Sequence, residues 1–273
     1  MSGRLLLGTQ GWNYPDWVGG FYPEGTRQPD FLELYAQAFP SVEVDSTFYA
    51  VPPAKTVRGW RQRTPAEFVF ALKFPQELTH ERRLRHGRDL VDEFLAAARE
   101  LGDKLGPLLL QLGPDFDPAE RDALEAFLPT LPHDLRVAVE VRHPRWARPE
   151  HLRGLLSLLA EHGRALALSD GKWFPRETVL ELVDRPTADF HYVRWMGPNR
   201  DLTVFSHEVM DRAEELGAWA GALRGVLARG MDVFGYANNH FTGHSPATMR
   251  RLQRLLGQTP VEPSRLGEQI SLF

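Results

Sequence analysis

The chain contains no cysteine among its 273 residues. A disulfide framework and any chemistry that requires a thiolate are therefore excluded. No apolar run approaches the roughly 18 residues that a membrane span needs, so we expect no membrane partner. The N-terminal MSGRLLLGTQ holds too short an apolar stretch for a signal peptide, which makes a cytoplasmic location the simplest expectation.

An excess of positive charge is also lacking, since the formal net charge is −4. This balance argues against a protein that binds nucleic acid over its whole surface, and any phosphate binding must come from a local patch. Hydrophobic residues make up 42% of the chain and charged residues 25%, which are ordinary values for a globular protein. The length suits one large α/β barrel with a sizeable core.

Short apolar runs alternate with longer amphipathic stretches about eight times along the chain. The runs are nearly continuous in apolar residues, which is typical of parallel strands buried on both faces. Eight strand–helix units predict an α/β fold, a (β/α)8 TIM-type barrel, in a single domain over residues 1–257. A short flexible C-terminal tail, 258–273, is expected to follow. After the sixth strand, PRETVLELVDRP allows only a short helix. The strand candidates are RLLLG, SVEVD, FVFALKF, GPLLLQL, RVAVEVR, RALALSD, DFHYVRW and MDVFGYAN.

Polar residues occur where nearly every predicted strand ends. In a TIM-type barrel these strand ends and the loops after them carry the active site. One such residue could cap a helix or a turn, but a ring of them from all parts of the chain predicts one pocket. The residues predicted to bind a substrate there are Trp12, Tyr14, Tyr49, Gln111, Arg142, Trp146, Asp170, Arg194, Asn238, Asn239 and His240.

Two glutamates end the second and fifth predicted strands, Glu43 and Glu140. Two carboxylates that face one cavity can divide the roles of acid and base, or share a divalent metal. Together with Lys73 and His143 they are the candidate catalytic residues. The alternative is that each carboxylate is neutralised by a neighbour, Glu43 by Lys73 and Glu140 by Arg142. A lysine beside a glutamate should stay protonated and hold an anion or an ion pair.

A metal site is a further possibility for the same ring. NNHFTGH supplies His240 and His244, while His143 and Asp170 lie elsewhere in the ring, and imidazole with carboxylate suits zinc or manganese. No established signature such as HExxH is present, and no helix presents the two histidines. A divalent metal therefore remains an open cofactor.

An ordered set of motifs covers nearly the whole chain, from residue 8 to about 246. The motifs are GTQGWNYPDW, FYP, VEVDSTFYAVP, FALKFP, LGPLLLQLGP, VEVRHPRW, PTADFHYVRWMG and YANNHFTGHSP. With these motifs the sequence resembles the DUF72 family, also called the YecE-like or UPF0759 proteins. The resemblance implies a TIM barrel and no established activity. Asp45 stands where the family more usually has Asn.

Positive charge gathers in loops on the predicted functional face. THERRLRHGR follows the third strand and contributes four arginines, and most of the seven tryptophans also fall in loops. Arginines interleaved with aromatic residues are typical of proteins that hold single-stranded nucleic acid, although the same combination suits a sugar or a nucleotide. A solvated loop is the simpler alternative. The candidate nucleic-acid-binding residues are Arg82, Arg83, Arg85 and Arg88.

The last five residues, QISLF, resemble the pentapeptide by which bacterial polymerases and repair proteins dock on the sliding clamp. The resemblance implies docking through Gln269, Leu272 and Phe273. A terminus that follows a loop-like segment is free to reach such a partner. The alternative is that Leu272 and Phe273 pack against the N-terminal end of the barrel.

Three functions are compatible with these features. The favoured one is a nucleic-acid-processing enzyme of the nuclease or repair type, with hydrolase-type chemistry, recruited to the sliding clamp. The second is a small-molecule barrel enzyme that acts on a sugar or sugar phosphate. The third is a non-catalytic scaffold bound to the clamp.

Overall fold

All eight predicted strands form, and each is followed by a helix. The computed structural model describes residues 2–197 and 202–268. The strands are β1 Leu5–Thr9, β2 Ser41–Val44, β3 Val69–Lys73, β4 Leu105–Gln111, β5 Val137–Glu140, β6 Ala165–Asp170, β7 Phe190–Trp195 and β8 Asp232–Ala237. The helices are α1 Phe31–Ala38, α2 Ala54–Gln62, α3 Arg88–Arg99, α4 Arg121–Phe127, α5 Pro149–Glu161, α6 Arg176–Leu182, α7 Ala213–Ala228 and α8 Ser245–Leu255.

The strands pair in parallel in the order β1-β8-β7-β6-β5-β4-β3-β2, which is a nearly closed barrel. This confirms the predicted (β/α)8 architecture. Pairing between β5 and β6 covers only two residue pairs. The seam between β1 and β2 carries a single parallel bridge, between Gln10 and Glu43, with Gly11 N donating to Glu43 O at 2.8 Å. The barrel therefore closes at its C-terminal end, beside the predicted functional residues.

A tyrosine replaces the missing backbone hydrogen bonds along the seam between β1 and β2. The Tyr35 hydroxyl accepts from Thr9 N at 2.8 Å and donates to Ser41 O at 3.0 Å. The strands approach so closely here that a Cβ on Gly8 would lie 1.9 Å from Ser41 O. Glycine at position 8 is required by this approach.

Aromatic residues from β7 and β8 fill the inside of the barrel. Phe190, Tyr192, Phe234 and Tyr236 are buried there, and alanines on β3, β5 and β6 leave the space that they occupy. A larger cluster of buried apolar residues packs the helices onto the outside of the strands. The interior is a packed core, as in other barrels of this type, so a ligand has room only at an end.

Helix lengths agree with the sequence pattern at the sixth unit. Helix α6 has seven residues, as the short stretch after β6 predicted. Pro149 is the first residue of α5, where its missing N–H has no intrahelical partner to lose. In the described part of the chain, no helix is long and apolar enough to cross a membrane.

The segment 258–268 lies against the barrel. Leu266 is buried, and Gly267 N donates to Gln37 Oε1 at 2.9 Å. Glu262 forms ion pairs with arginines of α8. An apolar side chain and an acidic one anchor this segment, which composition alone did not reveal.

Candidate active site

A cleft of 510 Å³ opens at the C-terminal ends of the strands. Its lining draws on every unit of the barrel, because the strand ends converge there. The lining includes seven residues predicted for substrate binding or catalysis: Tyr49, Lys73, Gln111, Arg142, Arg194, Asn238 and His240. Other lining residues are Gln10, Asp45, Phe48, Lys172, Trp173 and Met196.

Arg194 joins the two glutamates at the floor of this cleft. It donates from Nη2 to Glu43 Oε1 at 2.7 Å and from Nε to Glu43 Oε2 at 2.9 Å. Its Nη1 donates to Glu140 Oε2 at 2.5 Å. All three side chains are at most 1% exposed. The fork of the guanidinium thus holds one carboxylate with two bonds and the other with one.

Each carboxylate also accepts a hydrogen bond from a second side chain. Tyr192 OH donates to Glu43 Oε2 at 2.6 Å, and Arg142 Nε donates to Glu140 Oε1 at 2.6 Å. Burial raises the pKa of Glu140, but the guanidiniums of Arg142 and Arg194 outweigh burial and bring the pKa to about 2. Glu140 is therefore ionised at every physiological pH.

The charge partner of Glu43 is Arg194 rather than Lys73. The pairing of Lys73 with Glu43, weighed from the sequence, is corrected, whereas the pairing of Arg142 with Glu140 is observed. Through Arg194, Glu43 and Glu140 together hold the floor of the cleft.

Asp45 and Lys73 are the two lining residues whose pKa values move toward neutrality. Burial raises the pKa of Asp45 to about 6, and the negative charge of Glu43 adds to this effect. Burial lowers the pKa of Lys73 to about 8, against the opposing charge of Asp45. Lys73 Nζ lies 3.6 Å from the centroid of the Phe48 ring. Displaced pKa values of this kind are typical of functional sites.

Thr47 fixes these two residues relative to each other. Asp45 begins the short turn Asp45–Phe48 that follows β2, and Lys73 is the last residue of β3. Thr47 Oγ1 donates to Lys73 O at 2.8 Å and accepts from Lys73 N at 3.0 Å. Asp45 received no chemical role from the sequence, because its half-buried position beside Glu43 is a property of the fold.

Two sides of the cleft differ in chemistry. On the β6 side, Lys172 Nζ lies 4.6 Å and Arg142 Cζ 6.0 Å from the centroid of the Trp173 ring. On the β2 side stand Phe48 and Tyr49, whose rings meet edge to face at 5.4 Å. Tyr49 is 79% exposed. Lys172 was missed from the sequence, since it lies in the loop after β6 and belongs to none of the arginine-rich loops.

Asp170 and Asn239, two residues predicted for the pocket, do structural work instead. Asp170 Oδ2 accepts from Trp219 Nε1 at 2.7 Å and from Arg176 Nε at 2.9 Å, which anchors α6 and α7. Asn239 Oδ1 accepts from the backbone N and the hydroxyl of Ser245, at 3.0 and 2.8 Å, and so caps α8. Their oxygens are occupied, and neither side chain lines the cleft.

Trp146 packs in the core rather than in the cleft. Its side chain is fully buried and its Nε1 donates to Phe116 O at 2.8 Å, so it has no face to offer a base. His143 accepts from Arg145 N at 3.3 Å at the start of a turn. Neither residue lines the cleft.

The aromatic residues after β1 lie behind the cleft rather than in it. Trp12 packs edge to face on Trp60 with ring centroids 5.8 Å apart. Tyr14 OH donates to Gln10 O at 3.0 Å, and its ring lies 4.7 Å from that of Trp17. Tyr14 thereby supports the cleft wall through Gln10, whose side-chain amide lies 2.8 Å from that of Asn238.

The four arginines predicted to bind nucleic acid all have carboxylate partners. They lie around α3 and α4 and do not line the cleft. These ion pairs are partly or largely exposed to solvent, where such pairs contribute little to stability. The partners are Glu77 and Asp89 for Arg82, Asp115 and Glu120 for Arg83, Glu120 and Asp122 for Arg85, and Asp92 for Arg88.

The residues considered for a metal are not brought together. His240 lines the cleft, whereas His244 is buried with its ring 6.1 Å from that of Trp17. Within residues 2–197 and 202–268, no group of three or more His, Asp or Glu side chains is placed to hold a metal ion. Gln269, Leu272 and Phe273, predicted for clamp docking, lie outside the described residues.

Comparison with known proteins gives a consistent result. The model of the family described as "Protein of unknown function DUF72" matches residues 6–269. The UPF0759 protein YunF of Bacillus subtilis (strain 168) is 27% identical over 289 residues, 98% of this chain and 100% of YunF. The UPF0759 protein YecE of Escherichia coli (strain K12) is 39% identical over 142 residues, so the match spans 52% of this chain and 50% of YecE.

A solved structure shares the fold. The crystal structure of a DUF72 family protein from Thermotoga maritima MSB8 superposes with a TM-score of 0.78, at 23% identity, over 93% of this chain and 100% of that one.

Proposed function

Because the chain belongs to the DUF72 family, whose description states no function, we propose one from the cleft: an enzyme that acts on a small sugar phosphate by general acid–base catalysis. Asp45 is the base and Lys73 is the acid. The observation that carries this proposal is the placement of Asp45 and Lys73 in one cleft, joined through Thr47, with pKa values displaced to about 6 and about 8. A base and an acid with pKa values near the working pH transfer protons most efficiently.

Between pH 6 and pH 8 the pair is in its working state. Asp45 is then mainly a carboxylate and Lys73 mainly an ammonium. In a hydrolysis, Asp45 takes a proton from the attacking water while the water oxygen bonds to the phosphorus or carbon atom under attack. The bond from that atom to the departing oxygen breaks, and Lys73 gives its proton to this oxygen. The buried glutamates keep Arg194 and Arg142 fixed beneath the reacting groups.

The lining supports a small, anionic and hydroxyl-rich substrate. A volume of 510 Å³ is within the range of small-molecule pockets, which is about 300–1,000 Å³. Among the described residues in and beneath the cleft, cations outnumber carboxylates, which favours an anion. The side-chain amides of Gln10, Gln111 and Asn238 can both donate to and accept from hydroxyl groups. The cations are Lys73, Arg142, Lys172 and Arg194, and the carboxylates are Glu43, Asp45 and Glu140.

The test is turnover of a panel of sugar phosphates and glycosyl phosphates, followed by ³¹P and ¹H NMR. We expect the wild type to convert at least one compound, and Asp45→Asn and Lys73→Met each to lower that rate about 100-fold or more. Glu125→Gln, on the exposed side of α4, is the control and should keep full activity. An Asp45→Asn variant as active as the wild type would contradict the assignment of the base.

Nucleic-acid processing is the second candidate. The exposed ring of Tyr49 at the rim favours it, because a terminal base of a strand could stack there. In that case the affinity for single-stranded DNA should fall steeply with salt, since phosphate contacts release counterions. Arg83→Ala combined with Arg85→Ala should flatten this dependence. Absence of binding to single-stranded DNA at low salt would count against this candidate.

Recruitment to a bacterial sliding clamp through Gln269, Leu272 and Phe273 is a separate proposal. It applies equally to an enzyme and to a non-catalytic scaffold. Deletion of residues 269–273 should abolish binding to an immobilised clamp and leave the melting temperature unchanged. A deletion that keeps clamp binding, or that melts several degrees lower, would contradict docking by this peptide.

A further inference from the structure

We infer that the substrate carries a planar ring as well as an anionic group, and that the cleft binds a nucleoside monophosphate with its base beside Tyr49 and its phosphate beside Lys172. This inference rests on the proposed function, because it assigns a substrate class to the same cleft.

The barrel places the two groups on opposite sides. In the strand order, three strands separate β2 from β6 in either direction around the ring. Tyr49 follows β2, while Lys172 follows β6, and both line the cleft. A ligand that contacts both residues must therefore extend across the opening of the cleft, from the β2 side to the β6 side.

The β6 side is suited to the anionic end. Lys172 is exposed, with its Nζ 4.6 Å from the centroid of the Trp173 ring. Arg142 stands beside the same ring, while its Nε holds Glu140 from beneath. Contact with the ring orients the ammonium, and a second cation nearby strengthens the local positive potential. A phosphate would accept hydrogen bonds from Lys172 at this position.

The β2 side is suited to a flat, uncharged end. Phe48 is engaged, since Lys73 Nζ lies over its ring at 3.6 Å, and this leaves Tyr49 as the ring open to a ligand. Tyr49 is the most exposed large hydrophobic residue among those described, at 79%. Stacking of a base on such a ring tolerates any base, because every base has a π-face. The ribose would then lie above the floor, within reach of Asp45 and Lys73.

The experiment is a set of calorimetric titrations with AMP, ribose 5-phosphate and adenosine, at pH 7. We expect AMP to bind at least tenfold more tightly than either fragment. Tyr49→Ala should weaken the affinity for AMP at least tenfold and leave the affinity for ribose 5-phosphate unchanged. Tyr49→Phe, which keeps the ring, should bind AMP as tightly as the wild type does. Lys172→Gln should weaken the affinities for AMP and ribose 5-phosphate alike and leave the affinity for adenosine unchanged.

Two results would overturn the inference. Ribose 5-phosphate that binds as tightly as AMP would show that no base is recognised, and the proposed acid–base function would still stand. If the protein binds a single-stranded oligonucleotide and does not bind AMP, the ligand of the cleft is a nucleic-acid strand rather than a mononucleotide. Failure of the proposed acid–base function gives a different pair of results. AMP still binds, but the Asp45→Asn variant turns over substrate as fast as the wild type.

Discussion

Arg194 and Glu43 form a two-pronged ion pair at the floor of the cleft, with hydrogen bonds of 2.7 and 2.9 Å between side chains that are at most 1% exposed. The third donor of the same guanidinium reaches Glu140. One arginine therefore bridges carboxylates from β2 and β5, two strands that do not pair. This arrangement places both glutamates in the buried support beneath the cleft.

Removing Arg194 should be severely destabilising. Arg194→Met leaves two buried carboxylates without their shared partner, and breaking a buried pair in this way costs about 3–5 kcal/mol. The free energy of unfolding from urea titration is the measurement. Arg99→Ala removes an exposed ion pair with Asp134 and should cost less than about 1 kcal/mol. Equal losses in the two variants would contradict the role given to Arg194.

Trp146 and Trp173 should respond in opposite ways to truncation. Trp146→Ala opens a cavity in the core and should lower the free energy of unfolding by about 3–5 kcal/mol. Trp173→Ala, at the rim, should change stability little and weaken AMP binding instead. Urea denaturation and calorimetry on both variants decide the matter, and a stable Trp146→Ala protein with impaired ligand binding would reverse the assignment.

Gly8 should tolerate no side chain. In Gly8→Ala the new Cβ would meet Ser41 O at the seam between β1 and β2, so the barrel must open or shift. We expect a loss of several degrees in melting temperature, on the scale of other overpacking changes of about 1–3 kcal/mol. Gly217→Ala is the matched control, since it lies in α7 with nothing within 4 Å, and it should be neutral or stabilising. A neutral Gly8→Ala would refute the close approach.

Asp45→Asn should stabilise the protein at neutral pH. The pKa of Asp45 in the folded protein, about 6, lies above the ordinary 3.8. Its contribution to the free energy of unfolding is therefore fully present below pH 3.8 and is lost as the pH rises through 6. The increase in the free energy of unfolding that Asp45→Asn gives over the wild type should grow between pH 4.5 and pH 7.5 to the order of 1–3 kcal/mol. Asp134→Asn should show no such gain, because Arg99 holds the pKa of Asp134 below its usual value. A gain that does not vary with pH would contradict this origin.

The fold was predictable from the sequence because its signal is local. Each strand is a nearly continuous apolar run, and eight alternations with helical stretches admit few other architectures. The position of the cleft followed from the same alternation, since polar residues such as Lys73 and Arg194 end their strands.

The roles within the cleft depend on contacts between distant parts of the chain. Glu43 and Arg194 are 151 residues apart, and no local pattern indicates that they pair. Trp146 and Asp170 do not line the cleft, and no local pattern indicates this either, since a side chain at or after a strand end can face the cleft or pack against its neighbours. Burial, which decides between these cases and sets the pKa of Asp45, exists only in the folded protein.

The most direct measurement of the central claim is the titration of Lys73 itself. In a protein with ¹³C-labelled lysine, the Cε resonance absent from Lys73→Arg identifies the residue, and its chemical shift is followed from pH 6 to pH 11. A midpoint near 8, well below the ordinary 10.5, is the predicted result, because burial disfavours the charged ammonium. A midpoint at or above 10.5 would contradict the account, since Lys73 would then be an ordinary ion-pair lysine with no proton to give near neutral pH.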